Sequence, residues 1–541
     1  MNQIRQIILL LILAQANSGF SQSAEWVSAA FGYESDISAE AIAIDGDDNI
    51  ISVGYYKGIL EFSDGQRLVG FGTSREIVIQ KINASGDILW IKDYNSAGTL
   101  EATTVTADNQ NNIFISGRFN SSASFDGIPL VSSQSSYNYF IVKIDSDGNT
   151  IWAKTIPGIS AEKPTIAADS ENNIYIVGEF SGTRSFNGTD LSISNGKLYL
   201  IKLNSNGQYI YTKQMGSTGS SSNGTLTIDS QDNIIIAGRT LVDAVFGNDS
   251  YDTGGGYVVK INSLGEFLWS RQTTGFIGKS LVTDSQNNIL FTGSYTGTVQ
   301  FDDETLSSPN FSSLFVAKLN GSGHKIWLKD IPLNSTPLYF RRPVVTVNAA
   351  DYLYLVFGFK GELNYEGNTY TATNSNNTSQ DIIISSLGNT ADSGEVTWSK
   401  QFNRIDYTRD KILIAKDNSL YLTSKIRTSD FDGISLQNAT PARIIVAKIK
   451  NNTLSSDAIL ATNRSTSLTY NEIQDKYIIL LNRQVTKLDV KIFDISGRQI
   501  KSIHKKGSVN KVSFDLNGAS GIYFLTILTE NGYESFKILK K

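Results

Sequence analysis

The chain has 541 residues, 40% hydrophobic, 10% aromatic and 18% charged, with 45 Gly, 8 Pro, two His and no Cys. That apolar content excludes a disordered chain, and the length calls for several cores or one small core repeated. The lack of Cys removes disulfides, thiolate metal sites, cysteine nucleophiles and lipid attachment through Cys, while a net charge of −5 gives no field for nucleic acid.

Residues 1–22 read as a secretory signal. Arg5 supplies the positive start and Ile7–Leu13 the apolar run, with small residues placed for cleavage after Ala16 (Ala14, Ala16) or after Ser21 (Gly19, Ser21). The apolar run is far shorter than the roughly 20 residues that span a bilayer. The expectation is an exported chain with no transmembrane span after cleavage.

The segment 23–450 is one unit repeated. The pattern Asp-x-x-x-Asn-Ile-x-x-x-Gly occurs at Asp45–Gly54, Asp108–Gly117, Asp169–Gly178, Asp229–Gly238 and Asp284–Gly293. Weaker copies stand at Asn348–Gly358 and Ala415–Ser424, giving seven units of about 62 residues. Each unit then carries an aromatic followed by an acidic or amide residue and Gly (Phe125-Asp126-Gly127, Phe186-Asn187-Gly188, Tyr365-Glu366-Gly367); the fourth keeps only Phe246-Gly247. A β-rich run, a Gly turn and an aromatic close it, as in Val78–Ile82 with Gly86 and Trp90. Further closing pairs are Gly148/Trp152, Gly207/Tyr211, Gly265/Trp269, Gly323/Trp327 and Gly394/Trp398.

The seventh unit has Ile444–Ile449 but no closing Trp, whereas Trp26 precedes the first unit. If each unit is four strands, Trp26 lies on an orphan strand that completes the seventh. Thr453–Leu460 is the alternative donor of that strand, and six or eight units are the alternative counts. Runs such as Asn112–Gly117 and Asn233–Gly238 are apolar or small on both faces, as suits strands covered on both sides. The expected fold is all-β, a seven-bladed β-propeller followed by a small C-terminal β-sandwich. These framework residues resemble the secreted SBBP-type β-propeller repeat proteins over about 420 residues. The resemblance implies the propeller fold and carries no catalytic residues.

A linker over 451–464 leads to a tail at 465–541 of a different character, with a net charge of +5 (twelve Lys and Arg against seven Asp and Glu), so the remainder carries −10. Strands are expected at Tyr477–Leu481, Leu488–Phe493, Lys511–Leu516, Ile522–Leu528 and Glu534–Leu539. Val490–Arg498, Leu516–Phe524 and the basic end Lys537–Lys541 resemble the type A C-terminal sorting domain of the Bacteroidetes type IX secretion system. An Asn-Pro often found at the start of such domains is absent. The resemblance implies export by the type IX machinery, removal of the tail by its C-terminal signal peptidase, and release or attachment to surface lipopolysaccharide.

No residue set reads as catalytic or metal-binding. The repeated Asp and Asn suit turn bonding and left-handed backbone, and the repeated Trp suits packing between units. Asp45–Asn49 and Asp145–Asn149 resemble pieces of an oxygen-ligand calcium loop without its full spacing, so calcium is the one cofactor to weigh. Specificity is expected where units differ: Tyr55-Tyr56, Arg118, Glu179, Arg239, Ser294 and Lys425 after the repeated Gly, and Tyr339–Pro343 with Tyr352, Tyr354, Phe357 and Phe359 in the sixth unit. His324 reads as an exposed turn residue, and His504 lies in the tail. The leading function is a secreted or cell-surface propeller that binds a polysaccharide or protein, or serves as a scaffold. The alternatives are a propeller-based carbohydrate-active hydrolase or lyase, marked by three or more non-repeat charged groups converging at one end, and a structural surface-layer component.

Overall fold

Repetition in the sequence becomes repetition of antiparallel meanders. The computed structural model describes residues 23–450 and 466–540 apart from short interruptions, the longest being 333–342, and every regular element among them is a strand. The signal segment 1–22 and the linker 451–464 lie outside the described residues. Two bodies are distinguished, one of residues 23–450 and one containing 451–541.

In the first unit Ser38–Ile44, Ile50–Tyr56, Glu76–Ile82 and Ile88–Tyr94 pair in chain order as a four-stranded sheet. The same order recurs in unit two (Leu100–Ala107 to Thr150–Ile156), unit four (Ser221–Ile228 to Phe267–Thr273) and unit five (Ile277–Thr283 to Lys325–Ile331). Unit three follows it too, and its last strand, Tyr209–Ser217, goes on to pair with the Ala244–Phe246 hairpin of unit four. Unit six runs Val344–Val347, Tyr352–Phe359, Ser379–Asn389 and Trp398–Asp406. Unit seven has Ile412–Lys416, Ser419–Ile426 and Ala442–Lys450, and its fourth strand is Ser23–Gly32 from the chain's N-terminal side. Trp26 stands opposite Lys448, the place that the orphan-strand argument required.

The residues explain these elements. Ile113, Phe114 and Ile115 are all fully buried, although successive strand side chains point to opposite faces, so both faces of that strand are covered. The repeated Gly is demanded by close approach: a Cβ on Gly54 or Gly117 would lie 2.0 or 1.9 Å from the carbonyl oxygen of Ser38 or Glu101. The first strand bulges there, between Ala39 and Ala41 and between Ala102 and Thr104.

In the C-terminal body Thr466–Asn471, Lys476–Asp494, Gln499–Phe514, Gly521–Thr529 and Gly532–Lys540 form one five-stranded sheet. Two strands expected at 477–481 and 488–493 are thus a single strand that passes through register shifts between Leu480 and Lys487. Its first half pairs with Thr466–Asn471, and its second half with Gly521–Thr529. Gln499–Phe514 starts twelve residues before the expected Lys511 because its first part is largely exposed and polar, which erases the apolar alternation that marks a strand. Ile479, Leu488, Val490, Ile492, Leu525 and Ile527 form its core.

Candidate functional site

The repeated Asp sits at the connection between first and second strands. Asp229 Oδ1 accepts the backbone N–H of Gln231 and of Asn233 at 2.9 Å each, and the Asn233 amide donates to both carboxylate oxygens. Equivalent bonds hold Asp45, Asp108, Asp169 and Asp284. Left-handed geometry was expected of the Asp or Asn themselves, but it falls on the residue just before the Asn, or before Tyr352 in unit six: Asp48, Asn111, Asn172, Asp232, Asn287 and Asp351 have φ of 59–65°. An Asx side chain tolerates that conformation and here also reaches the preceding unit. Asn111 Oδ1 accepts from Gly46 N at 2.8 Å, and Asp232 Oδ1 from Ser170 N at 2.9 Å.

Sequence reading overlooked the partner of that Asp. In units one to five the Lys of the third strand is buried and forms an ion pair with it: Lys81–Asp45 2.9 Å, Lys143–Asp108 3.3 Å, Lys202–Asp169 3.4 Å, Lys260–Asp229 2.8 Å and Lys318–Asp284 2.9 Å. Its signal was present, a Lys recurring inside an otherwise apolar strand. Burial by itself would raise the Asp229 carboxyl, but the Lys260 ammonium and the Asn233 amide outweigh it and hold the group below the usual carboxylate range. Asp45 and Asp284 are held low in the same way by Lys81 and Lys318. In the loop at Asp45 that resembles a piece of a calcium site, the Lys81 ammonium lies 2.9 Å from Asp45 Oδ2. Unit six changes both partners together, with Asn348 for the acid and Ser386 for the base.

The same Lys ties one unit to the next. Lys81 donates to the Ser146 carbonyl at 3.1 Å, and the Trp90 indole N–H donates to that same oxygen at 3.0 Å. Lys143 with Trp152 repeat this on Ser205, and Lys260 with Trp269 on Gly321. The ring of each Trp lies under the Gly of the next unit's turn. Trp26 continues the series: it donates to the Ala84 carbonyl at 3.1 Å, and a Cβ on Gly86 would lie 2.8 Å from its ring.

Non-repeat charges gather at the opposite end of the sheets in units one to three. Glu101, almost fully buried, takes Arg75 on one carboxylate oxygen and Arg118 on the other, the latter at 2.8 Å. Arg75 also reaches Asp36 at 3.0 Å and covers the Tyr55 ring at 4.5 Å, while Arg118 covers Tyr137 at 4.9 Å. Lys163 of unit three crosses to Glu40 of unit one at 2.6 Å. Burial would raise Glu101, yet Arg118 and Arg75 bring it below its ordinary value. Burial, then Glu40, push the Tyr55 hydroxyl up to about 12. Asp36, Glu40 and Glu101 each face a cation, so the cluster is a charge-balanced rim.

Of the positions after the repeated Gly, Tyr55 and Arg118 join this rim, Glu179 and Lys425 are buried, Ser294 is half-buried and Arg239 is exposed. Tyr354, Phe357 and Phe359 are core residues and Tyr352 is exposed, while Tyr339–Arg342 lie outside the described residues. His324 is exposed, and its backbone N–H donates to Asn320. Among the described residues no group of three or more His, Cys, Asp or Glu is arranged for a metal ion, and no helix is long and apolar enough to cross a membrane.

Comparisons with known proteins bear on both bodies. Residues 471–541 match the secretion system C-terminal sorting domain, the tail of type IX export, which marks the chain for secretion or display at the cell surface. An uncharacterised WD repeat-containing protein of Acanthamoeba polyphaga mimivirus is 23% identical over 231 residues, covering 34% of this chain and 17% of that protein. The chain thus spans less than a fifth of the curated relative it matches. Similar solved structures include the Dos1 propeller (TM-score 0.38, 9% identity, 83% of this chain and 90% of that one) and the C-terminal WD40 domain of Sif2 (0.38, 8%, 79% and 99%). A polysaccharide lyase of family PL25, an ulvan lyase, is also similar (0.34, 14%, 61% and 77%).

Proposed function

We propose that the chain is a secreted or cell-surface β-propeller of seven blades that binds or scaffolds, exported by type IX secretion with its C-terminal β-sandwich as the sorting signal. The match of residues 471–541 to the sorting domain carries this reading. The reading includes an N-terminal signal at 1–22, an SBBP-type repeat and a Bacteroidetes source. Seven repeats, the last of which borrows Ser23–Gly32, agree with it. After export, the tail is removed by the C-terminal signal peptidase and the body is released or joined to lipopolysaccharide.

Expression in a bacterium with an active type IX system tests the reading. The chain should reach the medium or the outer surface without residues beyond about 465, and a variant lacking 465–541 should stay in the periplasm. An exported chain that still ends at Lys541, or efficient export without the tail, would overturn it. A carbohydrate-active hydrolase or lyase is the second reading, favoured by the convergence of Glu40, Glu101, Arg75, Arg118 and Lys163. Release of reducing or unsaturated ends from a polysaccharide, lost in Arg118→Gln, would establish it instead.

A further inference from the structure

A second set of junctions is marked by a basic residue on the fourth strand, two positions after the repeated aromatic: Lys92, Lys154, Lys213, Arg271, Lys329 and Lys400. It faces the residue that follows the aromatic in the next unit's hairpin turn. Four of these cations are closed by an acid there, Lys92 by Asp126 at 2.5 Å, Arg271 by Asp302, Lys329 by Glu366 at 3.0 Å and Lys400 by Asp432 at 2.6 Å. At the corresponding positions of the next units the sequence has Asn187 for Lys154 and Gly247 for Lys213, and neither Lys has an ion pair or hydrogen bond among the described residues. Where the fourth strand is Ser23–Gly32 the cation is dropped along with its acid, leaving Ser28 and Ser63 at the equivalent places. Cations kept without their acids therefore distinguish the middle of the repeat array.

These two side chains are held in place. A Cβ on Gly207 would lie 2.7 Å from Lys154 Cε, and one on Gly265 would lie 2.6 Å from Lys213 Cε, so each stem is packed over the next unit's turn. The Lys213 ammonium is 5.9 Å from the Tyr211 ring centre. Fixed stems lower the entropy that an ammonium loses on meeting an anion. Ile151 and Ile210, 49% and 45% exposed, stand on the same strands and offer apolar surface to the C–H face of a sugar ring.

We infer that the junctions of units two, three and four form an anion-binding face for an acidic polysaccharide, with Lys154 and Lys213 each taking one carboxylate or sulfate. The inference rests on the binding role proposed above and names its ligand class. Two cations at equivalent places of successive units match an extended polymer with spaced anionic groups.

Affinity electrophoresis of the mature chain through gels containing polygalacturonate, a sulfated galactan, neutral dextran or single-stranded DNA provides the test. The two acidic polysaccharides should retard the parent chain, less so in high salt, and dextran and DNA should not. Lys154→Gln with Lys213→Gln should weaken the interaction about tenfold, while Lys154→Arg with Lys213→Arg retains it. Lys92→Gln with Lys329→Gln should leave retardation unchanged, and thermal melts of all variants check that each is folded. Unaltered retardation of the Lys154/Lys213 double Gln variant, equal loss in the Lys92/Lys329 variant, or equal retardation by DNA would overturn this site. Retardation by neutral dextran alone would also overturn it while leaving a glycan-binding role intact, and the export experiment stands apart from all of these results.

Discussion

Removing one partner of a buried Lys–Asp pair should cost far more than removing both. The Lys260 and Asp229 side chains are 5% and 0% exposed with Nζ 2.8 Å from Oδ2. Asp229→Asn keeps the Oδ1 acceptor of the turn but sets an amide against the buried ammonium, and loss of a buried partner costs about 3–5 kcal/mol. Lys260→Met leaves the carboxylate with its N–H donors but without its cation, and also removes the 3.3 Å bond to the Gly321 carbonyl, which keeps only the Trp269 indole N–H. About 3 kcal/mol is expected for it. The double variant should lose only about 2 kcal/mol, because no buried charge is stranded and the cost of burying two ions is removed. Unit six is a natural precedent, having Asn348 and Ser386 in the two places. Urea unfolding of the mature chain and its three variants gives the coupling energy as a double-mutant cycle. A double variant whose loss equals the sum of the single losses would refute a coupled pair and reduce both residues to independent contributors.

Gly86→Ala should destabilise by about 2 kcal/mol or more, since φ is 95° and the new Cβ would lie 2.8 Å from the Trp26 ring; Gly127→Ala, with φ 85° and nothing within 4 Å, should lose only the backbone part, and equal melting shifts would contradict the Trp26 contact. Glu101→Gln should cost about 2–4 kcal/mol by leaving Arg75 and Arg118 without their shared acid, and unchanged thermal stability would refute the rim's structural role. The mature chain should also lose stability in acid. Asp45, Asp229, Asp284 and Glu101 are held below their ordinary values of 3.8 and 4.5, so the folded state binds fewer protons than the unfolded one. Their contribution is full above about pH 5 and lost as pH falls through the lowered folded values; midpoints independent of pH from 6 down to about 2 would refute it.

The repeat was readable because each unit solves the same local problem. Asp, Asn and Gly at fixed spacing are dictated by one turn and one bulge, which act within a dozen residues. The tail's signatures were readable for the same reason. The orphan Trp26 could be assigned by counting, since one unit lacked its aromatic and one aromatic lacked its unit. Gln499–Phe514 was largely invisible, because an exposed strand needs no alternation and pairing alone keeps it extended.

Sequence by itself determined the strand-rich repeat, its period, the Trp and Gly of each turn and the sorting tail, all of which follow from short-range spacing. Only the tertiary structure decided what the repeated residues meet. It paired Asp229 with Lys260 across a sheet, set Trp90 and Lys81 on one carbonyl of the next unit, and drew Glu101, Arg75 and Arg118 into one rim. It also separated the four fourth-strand cations that meet an acid from Lys154 and Lys213, which do not. The reason is physical: a charge records in the sequence its type and its place in the chain, whereas its energy depends on distance and burial, and those are fixed only when units some 60 residues apart come into contact.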